Sequence, residues 1–385
     1  MIPAGVSGSG LPCGSSEAYC AHPMTTTPTA PEPSLDERIR GCLLGGAIGD
    51  ALGAPVEFMC WPEIERRFGP DGIRTFSPAY GGIGRITDDT QMSLFTAEGL
   101  IRTQHRLIDR GIANVDAVLH RAYLRWLLTQ VGDPEEVPSD PDIGEDTSGW
   151  LLKQQFLHSE RAPGTTCMGA LLSGKTGATD NPINDSKGCG GVMRVAPIGL
   201  VASDPFDLGC RAAAITHGHP TGWIAAGAFA QIIRDVVHGG AIRDAVDAAL
   251  GRCRATEGGG EVVRALQAAL ALADDGTEAT PERIELLGGG WVAEEALAIS
   301  IFCFVSTADP CETLAISVNH SGDSDSTGSI AGNLLGAALG AEWLDSGMLG
   351  DLEGRAVVEQ VANDLYDAFI ASPSIEMDWD RYPPW

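Results

Sequence analysis

Hydrophobic residues recur at helical spacing along most of the chain, and runs of alternating apolar and polar residues are nearly absent. A period near 3.6 residues predicts amphipathic helices, and the missing period of two argues against a sheet. The pattern predicts helices over residues 36–53, 88–105, 114–130, 206–216, 222–238, 242–251, 260–273, 292–306 and 328–346. We therefore expect an all-α protein, a compact single-domain orthogonal helical bundle.

Glycine recurs every fourth residue in two of these predicted helices, at 41, 45, 49 and 53 and again at 328, 332, 336 and 340. Glycine inside a helix costs about 1 kcal/mol relative to alanine, so each stripe needs a compensating gain. Close approach of two helices would supply it, and we predict that the striped helices form the central pair. If they run antiparallel, the stretch from Asp50 to Glu57 meets the stretch from Asp323 to Ser326. The alternative is that each stripe packs against another element.

Composition separates the first residues from the rest of the chain. Residues 1–35 are rich in Ser, Thr, Gly and Pro, which is typical of a disordered tail, so residues 36–385 are expected to form the folded catalytic domain. Connectors rich in Gly and Pro fill 69–86, 131–146 and 173–191. The aromatic segment 377–385 is expected to dock on the body, because its large rings would otherwise be exposed.

The charge and the cysteines limit the classes of partner and compartment. Lys and Arg number 25 and Asp and Glu 52, a net charge of −27 that repels nucleic-acid phosphates and anionic lipid. The 10 cysteines form no CxxC pair and no zinc-like spacing, so we expect reduced thiols. No uncharged apolar run reaches the roughly 18 residues that a membrane span needs, and no signal peptide is evident. These observations together favour a cytoplasmic protein.

Three acidic clusters stand in apolar or glycine-rich surroundings: Asp50 with Glu57, Thr87 with Asp88 and Asp89, and Asp323 with Asp325 and Ser326. A helix N-cap explains one aspartate well, but adjacent carboxylates repel each other unless a cation neutralises them. Ligand sets made only of oxygen suit Mg²⁺, Mn²⁺ or Ca²⁺ rather than Zn²⁺. Two such half-sites can build a central two-metal site that activates water.

Three further features are open to two interpretations each. Glu57 is either a surface residue in a turn or a general acid/base beside the metals. The glycines at 188, 190 and 191 precede an apolar run, and such a loop can offer N–H groups to a pyrophosphate, although no nucleotide-binding motif is matched. His217 is expected to be a structural hydrogen-bonding residue rather than a ligand of these hard cations.

Taken together, several stretches of the chain resemble the ADP-ribosylglycohydrolase family, which includes the dinitrogenase reductase-activating glycohydrolases. The matching stretches follow one another in order over most of residues 36–345: RIRGCLLGGAIGDALGAPVEF, GRITDDTQMSLF, GCGGVMRVAPIGL, THGHPTGW, GGGWVAEEAL and GDSDSTGSIAGNLLGA. The resemblance implies a compact all-α fold around two divalent cations, Mg²⁺ or Mn²⁺.

The resemblance also implies roles for individual residues. One face of the metal pair would be held by Thr87, Asp88 and Asp89, and the other by Asp323, Asp325 and Ser326, where the family usually has Thr. Glu57 matches a catalytic glutamate. The binding site for the substrate ADP-ribose would be lined by Gly188, Gly190, Gly191, Met193 and His217. Asp146 matches a second catalytic aspartate more loosely, since a helix N-cap explains it equally well.

The function implied is hydrolysis of the bond between ADP-ribose and a modified target. The stretch 56–64, VEFMCWPEI, is most similar to the arginine-specific bacterial branch, so ADP-ribosyl-arginine on protein is the favoured substrate. Serine-linked ADP-ribose and O-acetyl-ADP-ribose are alternatives, as is a non-catalytic ADP-ribose-binding module. Two further rivals are a two-metal hydrolase of phosphate esters and a structural helical protein.

Overall fold

A computed structural model describes residues 32–138, 147–371 and 378–384. Within these ranges the chain is helical and contains no strand, only three isolated bridge pairs. The all-α fold expected from the hydrophobic periodicity is therefore confirmed. No helix of the described residues is both long and apolar enough to cross a membrane.

The described residues form 16 α-helices, numbered α1 to α16 in chain order. They are Leu35–Gly53, Trp61–Phe68, Asp88–Arg110, Val115–Val131, Thr165–Leu172, Ala196–Val201, Pro205–Ala214, Pro220–Val237, Ile242–Ala255, Gly260–Asp274, Pro281–Ile284, Ala293–Ser306, Pro310–Val318, Ser324–Leu339, Ser346–Asp351 and Arg355–Phe369. A short 3-10 helix, Cys189–Gly191, lies between α5 and α6.

The two glycine-striped helices, α1 and α14, form the central pair of the bundle and run antiparallel. A Cβ atom built on Gly41 would lie 2.2 Å from the carbonyl oxygen of Gly340, and one on Gly45 would lie 2.2 Å from that of Gly332. At the other end, a Cβ on Gly53 would lie 2.3 Å from the carbonyl oxygen of Ser324. Backbone therefore packs directly against backbone, and the predicted pairing is confirmed.

This close packing can be tested with two glycine-to-alanine substitutions that should change the stability in opposite directions. A Gly332→Ala substitution places a Cβ 2.0 Å from the carbonyl oxygen of Gly45, which no side chain can relieve, so we expect a loss of about 1–3 kcal/mol in the free energy of unfolding. In α9, a Cβ on Gly251 would have no atom within 4 Å, so Gly251→Ala is the matched control. It should stabilise the protein by up to about 1 kcal/mol, the helix preference of alanine. Urea unfolding of both variants checks the pair, and a destabilisation shared by both would contradict the argument.

The other helices enclose the α1–α14 pair in one apolar core. Helices α3 and α16 pack against α1, while α8, α12 and α13 pack against α14. The core cluster runs through all of these helices and includes no second, separate nucleus among the described residues. The consequence for the site is that α1 ends, α3 begins and α14 begins in the same region.

The predicted bounds of one striped helix are wrong at both ends. The segment 328–346 was expected to be helical, but α14 begins at Ser324 because the Asp323 side chain accepts a hydrogen bond from Ser326 N and caps it. It ends at Leu339 because Gly340 adopts a φ of +73°, a left-handed conformation that stops a helix. The predicted segments also leave out α2, α5, α6, α11, α13, α15 and α16, most of which are short.

The C-terminal segment docks as expected over its described part. Tyr382 is buried, and its hydroxyl donates to Asp364 at 2.8 Å. Its carbonyl oxygen lies 2.7 Å from Nδ1 of His105 on α3. The division into a tail, 1–35, and a domain, 36–385, stays a prediction, since residues 1–31 lie outside the described ranges.

The expectation of reduced thiols holds for most described cysteines and is wrong for one. Free thiols are present at Cys42, Cys60, Cys167, Cys189, Cys210, Cys253 and Cys303. Cys311, in the first turn of α13, is bonded in a disulfide.

Candidate active site

Asp50, near the end of α1, fixes the start of α3. Its carboxylate accepts hydrogen bonds from Thr87 N at 2.9 Å, from Thr87 Oγ1 at 2.8 Å and from Thr90 N at 3.1 Å, and the Thr90 hydroxyl donates as well. The Thr87 side chain in turn accepts from Asp89 N and caps α3. The first and second acidic clusters are thus joined through one buried, saturated carboxylate.

The second and third clusters meet across the gap between α3 and α14. The Ser326 hydroxyl donates to Asp89 Oδ2 at 3.5 Å, so the serine at the position where the resembling family has Thr lies between the two clusters. On the other side, Gly164 N donates to Asp88 Oδ2 at 3.2 Å. All four aspartates of α3 and α14 are at least 95% buried, with Asp325 at 2% exposure.

Glu57 joins the clusters from the two turns that follow α1. Pro55 cannot continue the helix, and the chain turns through hydrogen bonds from Val56 N to Gly53 O and from Met59 N to Val56 O. Ligand oxygens of Glu57, Asp323 and Asp325 lie within 4.8 Å of one another. The interpretation of Glu57 as a surface residue is therefore wrong, because its side chain is buried among carboxylates.

The concentration of buried negative charge shifts the pKa of each carboxyl upward. Burial, followed by the charges of Asp325 and Asp323, raises the pKa of Glu57 to about 11. Burial and then Asp325 raise the pKa of Asp50 to about 7, against the effect of its hydrogen bonds, and raise the pKa values of Asp88 and Asp89 well above the usual range. A cation among these groups would remove the repulsion that causes part of each shift.

The donor set fits divalent cations of the kind that the sequence predicts. Carboxylate and hydroxyl oxygens converge from three helix ends, which suits Mg²⁺ or Mn²⁺. Asp89 Oδ1 is fully buried and has no hydrogen-bond partner. Burying an unpaired polar atom costs free energy, and binding of a cation to this oxygen would offset that cost. The orphaned oxygen lies in the cluster whose members would otherwise repel each other.

A cavity of about 390 Å³ opens on this cluster. Of the residues predicted for the site, it is lined by Glu57, Asp88, Asp89, Gly188, Gly190, Met193, His217, Asp323, Asp325 and Ser326. Thr87 and Gly191 do not line it: Thr87 is buried against Asp50, and a Cβ on Gly191 would lie 3.1 Å from that of Ala213. Asp146 lies outside the described residues.

The glycine loop and His217 form one wall of the cavity. A Cβ on Gly190 would lie 3.1 Å from Cε1 of His217, and one on Gly188 would lie 3.4 Å from its Nε2, so both glycines allow backbone to approach the ring. His217 Nδ1 lies 2.8 Å from Thr216 Oγ1, and burial followed by the charge of Arg194 lowers the pKa of His217 to about 3. The ring is therefore neutral at pH 7.

The lining residues Phe58, Cys189 and Trp291 escaped the sequence analysis, as did Tyr80, which contacts Glu57. Phe58 and Trp291 stack at the cavity mouth with ring centroids 5.8 Å apart. The Cys189 thiol donates to Asp323 Oδ2 at 2.7 Å, and the Tyr80 hydroxyl lies 3.4 Å from Glu57 Oε2. Their neighbours in the sequence could have indicated Phe58, which directly follows Glu57, and Trp291, which follows three glycines. Tyr80 lies in a connector that offers no such indication.

Comparison with known proteins places this chain in one class, the hydrolases of ADP-ribosyl linkages. The sequence matches the family described as ADP-ribosylglycohydrolase over residues 31–374. The chain belongs to this family, and the resemblance drawn from its motifs is confirmed.

Relatives match this chain over nearly their whole lengths. The ADP-ribosyl-dinitrogen reductase glycohydrolase of Rhodospirillum rubrum is 28% identical over 354 residues, which is 89% of this chain and 99% of that protein. ADP-ribosylhydrolase ARH3 of Mus musculus is 24% identical over 368 residues, 86% of this chain and 92% of that protein. A solved structure described as an ADP-ribosylglycohydrolase-related protein complex matches with a TM-score of 0.61 and 25% identity, over 87% of this chain and 99% of that one.

Proposed function

We propose that this protein is a metal-dependent hydrolase that releases ADP-ribose from modified arginine side chains of a protein. Membership of the family supports hydrolysis of an ADP-ribosyl linkage. The observation that carries the finer proposal is the convergence of Glu57, Asp323 and Asp325 at the floor of the cavity, with ligand oxygens within 4.8 Å of one another. Such a cluster attracts cations and can exchange protons with a substrate.

Two divalent cations, Mg²⁺ or Mn²⁺, would be held between α3 and α14. Thr87, Asp88 and Asp89 would hold one side, and Asp323, Asp325 and Ser326 the other. When bound, such cations orient ribose hydroxyls and lower the pKa of a coordinated water. Asp50 supports this arrangement from behind, because hydrogen bonds from four donors to its carboxylate fix the backbone from Thr87 to Thr90.

Glu57 is the proposed acid/base of the reaction. Hydrolysis breaks the bond between the anomeric carbon and the guanidine nitrogen through an oxocarbenium-like state. Water supplies its oxygen to the carbon, and its proton ends on the leaving nitrogen. Because burial and neighbouring charge raise the pKa of Glu57, its carboxyl can hold a proton near neutral pH and exchange it with water or the leaving group.

Asp146 is the alternative acid, acting by opening of the ribose ring. The match of its surroundings to the family is looser than that of Glu57.

The rest of ADP-ribose is assigned to the glycine-loop wall. The backbone N–H groups of Gly188 and Cys189 already donate to Ser186 Oγ and to the carbonyl oxygen of Trp291, so those of Gly190 and Gly191 are the ones suited to an anionic pyrophosphate. The neutral ring of His217 lies against Gly188 and Gly190 and closes this wall. Met193 completes the lining between the loop and Ser326, whose hydroxyl lies 3.9 Å from the Met193 sulfur.

The arginine linkage is favoured by the similarity of stretch 56–64 to the arginine-specific branch and by the charge of the site. A guanidinium is cationic and would be attracted by the carboxylates, whereas a serine or acetyl leaving group is neutral. The relative from Rhodospirillum rubrum is named for a protein substrate, dinitrogen reductase, which supports a protein target as well.

The decisive measurement is release of free ADP-ribose from an arginine-ADP-ribosylated protein. We expect release with Mg²⁺ or Mn²⁺ and none with EDTA. A parallel assay on serine-linked ADP-ribose and on O-acetyl-ADP-ribose separates the linkages, since release from these alone would overturn the arginine assignment. Binding of ADP-ribose without release from any of the three would favour a binding module, and release of phosphate from a phosphate ester would favour the other two-metal hydrolases.

A further inference from the structure

Phe58 and Trp291 form an exposed aromatic pair at the mouth of the cavity. Their rings stack with centroids 5.8 Å apart and planes at 21°. Phe58 is nevertheless 70% exposed and Trp291 45% exposed. Two large rings left in water beside a functional cavity indicate a surface that a ligand covers.

The pair lies beside the acidic cluster. Phe58 follows Glu57 in the same turn, and Trp291 follows Gly290, on which a Cβ would lie 3.3 Å from the Cβ of Asp323. The backbone of Trp291 is held as well, because its carbonyl oxygen accepts a hydrogen bond from Cys189 N at 3.2 Å. Both rings are thus attached to segments that carry the proposed chemistry, and a group stacked on them would share the cavity with Glu57.

The charge of the residues that line the cavity limits which groups the Phe58–Trp291 pair can bind. Among the described residues that line the cavity there is no lysine or arginine, whereas five are carboxylates. The two divalent cations proposed for this site would offset four of the five carboxylate charges, so a planar cation would gain mainly from the ring faces. A guanidinium has both properties, since it is planar and always charged.

We propose that the Phe58–Trp291 pair is the subsite for the target side of the scissile bond, where the guanidinium of the modified arginine stacks on the rings. This inference rests on the proposed function and gives the leaving group its place. ADP-ribose would then occupy the glycine-loop wall, and the arginine side chain would leave the cavity past the pair toward the rest of the target protein.

The test compares two measurements on the same variants. Phe58→Leu and Trp291→Leu keep an apolar side chain and remove the aromatic face, whereas Phe58→Tyr and Trp291→Phe keep the face. With an ADP-ribosyl-arginine peptide and saturating Mn²⁺, each leucine variant should raise KM roughly tenfold, and the aromatic variants should stay near wild type. The affinity for free ADP-ribose, measured by calorimetry, should change by less than about twofold, since ADP-ribose lacks the guanidinium.

The matched control is Ile112→Ala. Ile112 is exposed to a similar extent, 72%, but lies just beyond the C-terminal end of α3, whose 23 residues separate it from Asp88 and Asp89 by roughly 35 Å. It should change neither quantity.

Three outcomes would overturn the inference. Leucine variants with wild-type KM would show that the pair binds nothing in the reaction. An ADP-ribose affinity that falls as much as KM rises would show that the pair stacks the adenine instead. A wild-type protein that leaves arginine-linked substrate intact overturns the proposed function, and this inference with it; the first two results leave the proposed function standing.

Discussion

A Glu57→Gln variant is expected to release ADP-ribose about 10²–10⁴-fold more slowly than the wild-type protein, the usual contribution of general acid/base catalysis. Glutamine keeps the size of the side chain and its contact with the Tyr80 hydroxyl, 3.4 Å away in the wild type, but it cannot give or take a proton. Because the defect lies in the chemical step, kcat should fall while the affinity for ADP-ribose stays within a few fold.

Two comparisons make this result specific. Glu65→Gln makes the same chemical change on the exposed face of α2, eight residues further along, and should leave kcat unchanged. Asp146→Asn, measured in parallel, separates the two candidate acids: a large loss there with full activity in Glu57→Gln would assign the proton transfer to Asp146. Wild-type kcat in the Glu57 variant contradicts the proposed role directly.

The sequence was sufficient for the architecture because glycine spacing is a strong constraint. Seven glycines at every fourth position within α1 and α14 are unfavourable in two isolated helices and favourable in one backbone-to-backbone pair. Once α1 and α14 are paired antiparallel, Glu57 and Asp325 must lie at the same end, as the structure shows. The family motifs, which include both residues, lead to the same expectation by another route.

The features that the sequence could not show depend on contacts between residues that lie far apart along the chain. The four atoms that donate hydrogen bonds to Asp50 belong to residues 37 and 40 positions away, so no local pattern indicates that Asp50 fixes α3. Phe58 and Trp291 lie more than 200 residues apart and become a pair only through the turns after α1 and before α12. The end of α14 was missed because the pattern continued, although the φ of Gly340 stops the helix.

The same buried charges that suit the site to cations should destabilise the protein without them. Asp325 is central, because its charge contributes to raising the pKa of Glu57, Asp50, Asp88 and Asp89. Its own pKa is raised well above the usual range by burial and then by Asp323. We therefore expect the same carboxylates to lower the stability of the metal-free protein and to raise its affinity for a cation. A single substitution at Asp325 should change both quantities.

An Asp325→Asn variant is accordingly expected to be more stable than the wild type in EDTA and nearly inactive in Mn²⁺. A carboxyl whose pKa is raised in the folded state lowers stability as pH rises above its unfolded value, near 4. Asparagine carries no charge at any pH, so the gain should be absent near pH 4 and reach about 3 °C or more in Tm at pH 8. With a proposed ligand lost, Mn²⁺ should no longer raise the Tm, and ADP-ribose release should fall at least about 100-fold.

Asp36→Asn is the control that isolates the effect of the cluster. Asp36 occupies the second position of α1, as Asp325 occupies the second position of α14, so both substitutions remove the same favourable interaction with a helix N-terminus. Asp36 is exposed and lies at the opposite end of α1 from the acidic cluster, so its variant should lose a little stability and keep the response to Mn²⁺. A loss of stability in EDTA for Asp325→Asn as well would mean that repulsion among the carboxylates is weaker than the helix-terminus interaction, and that the apo site is not strained by its own charge.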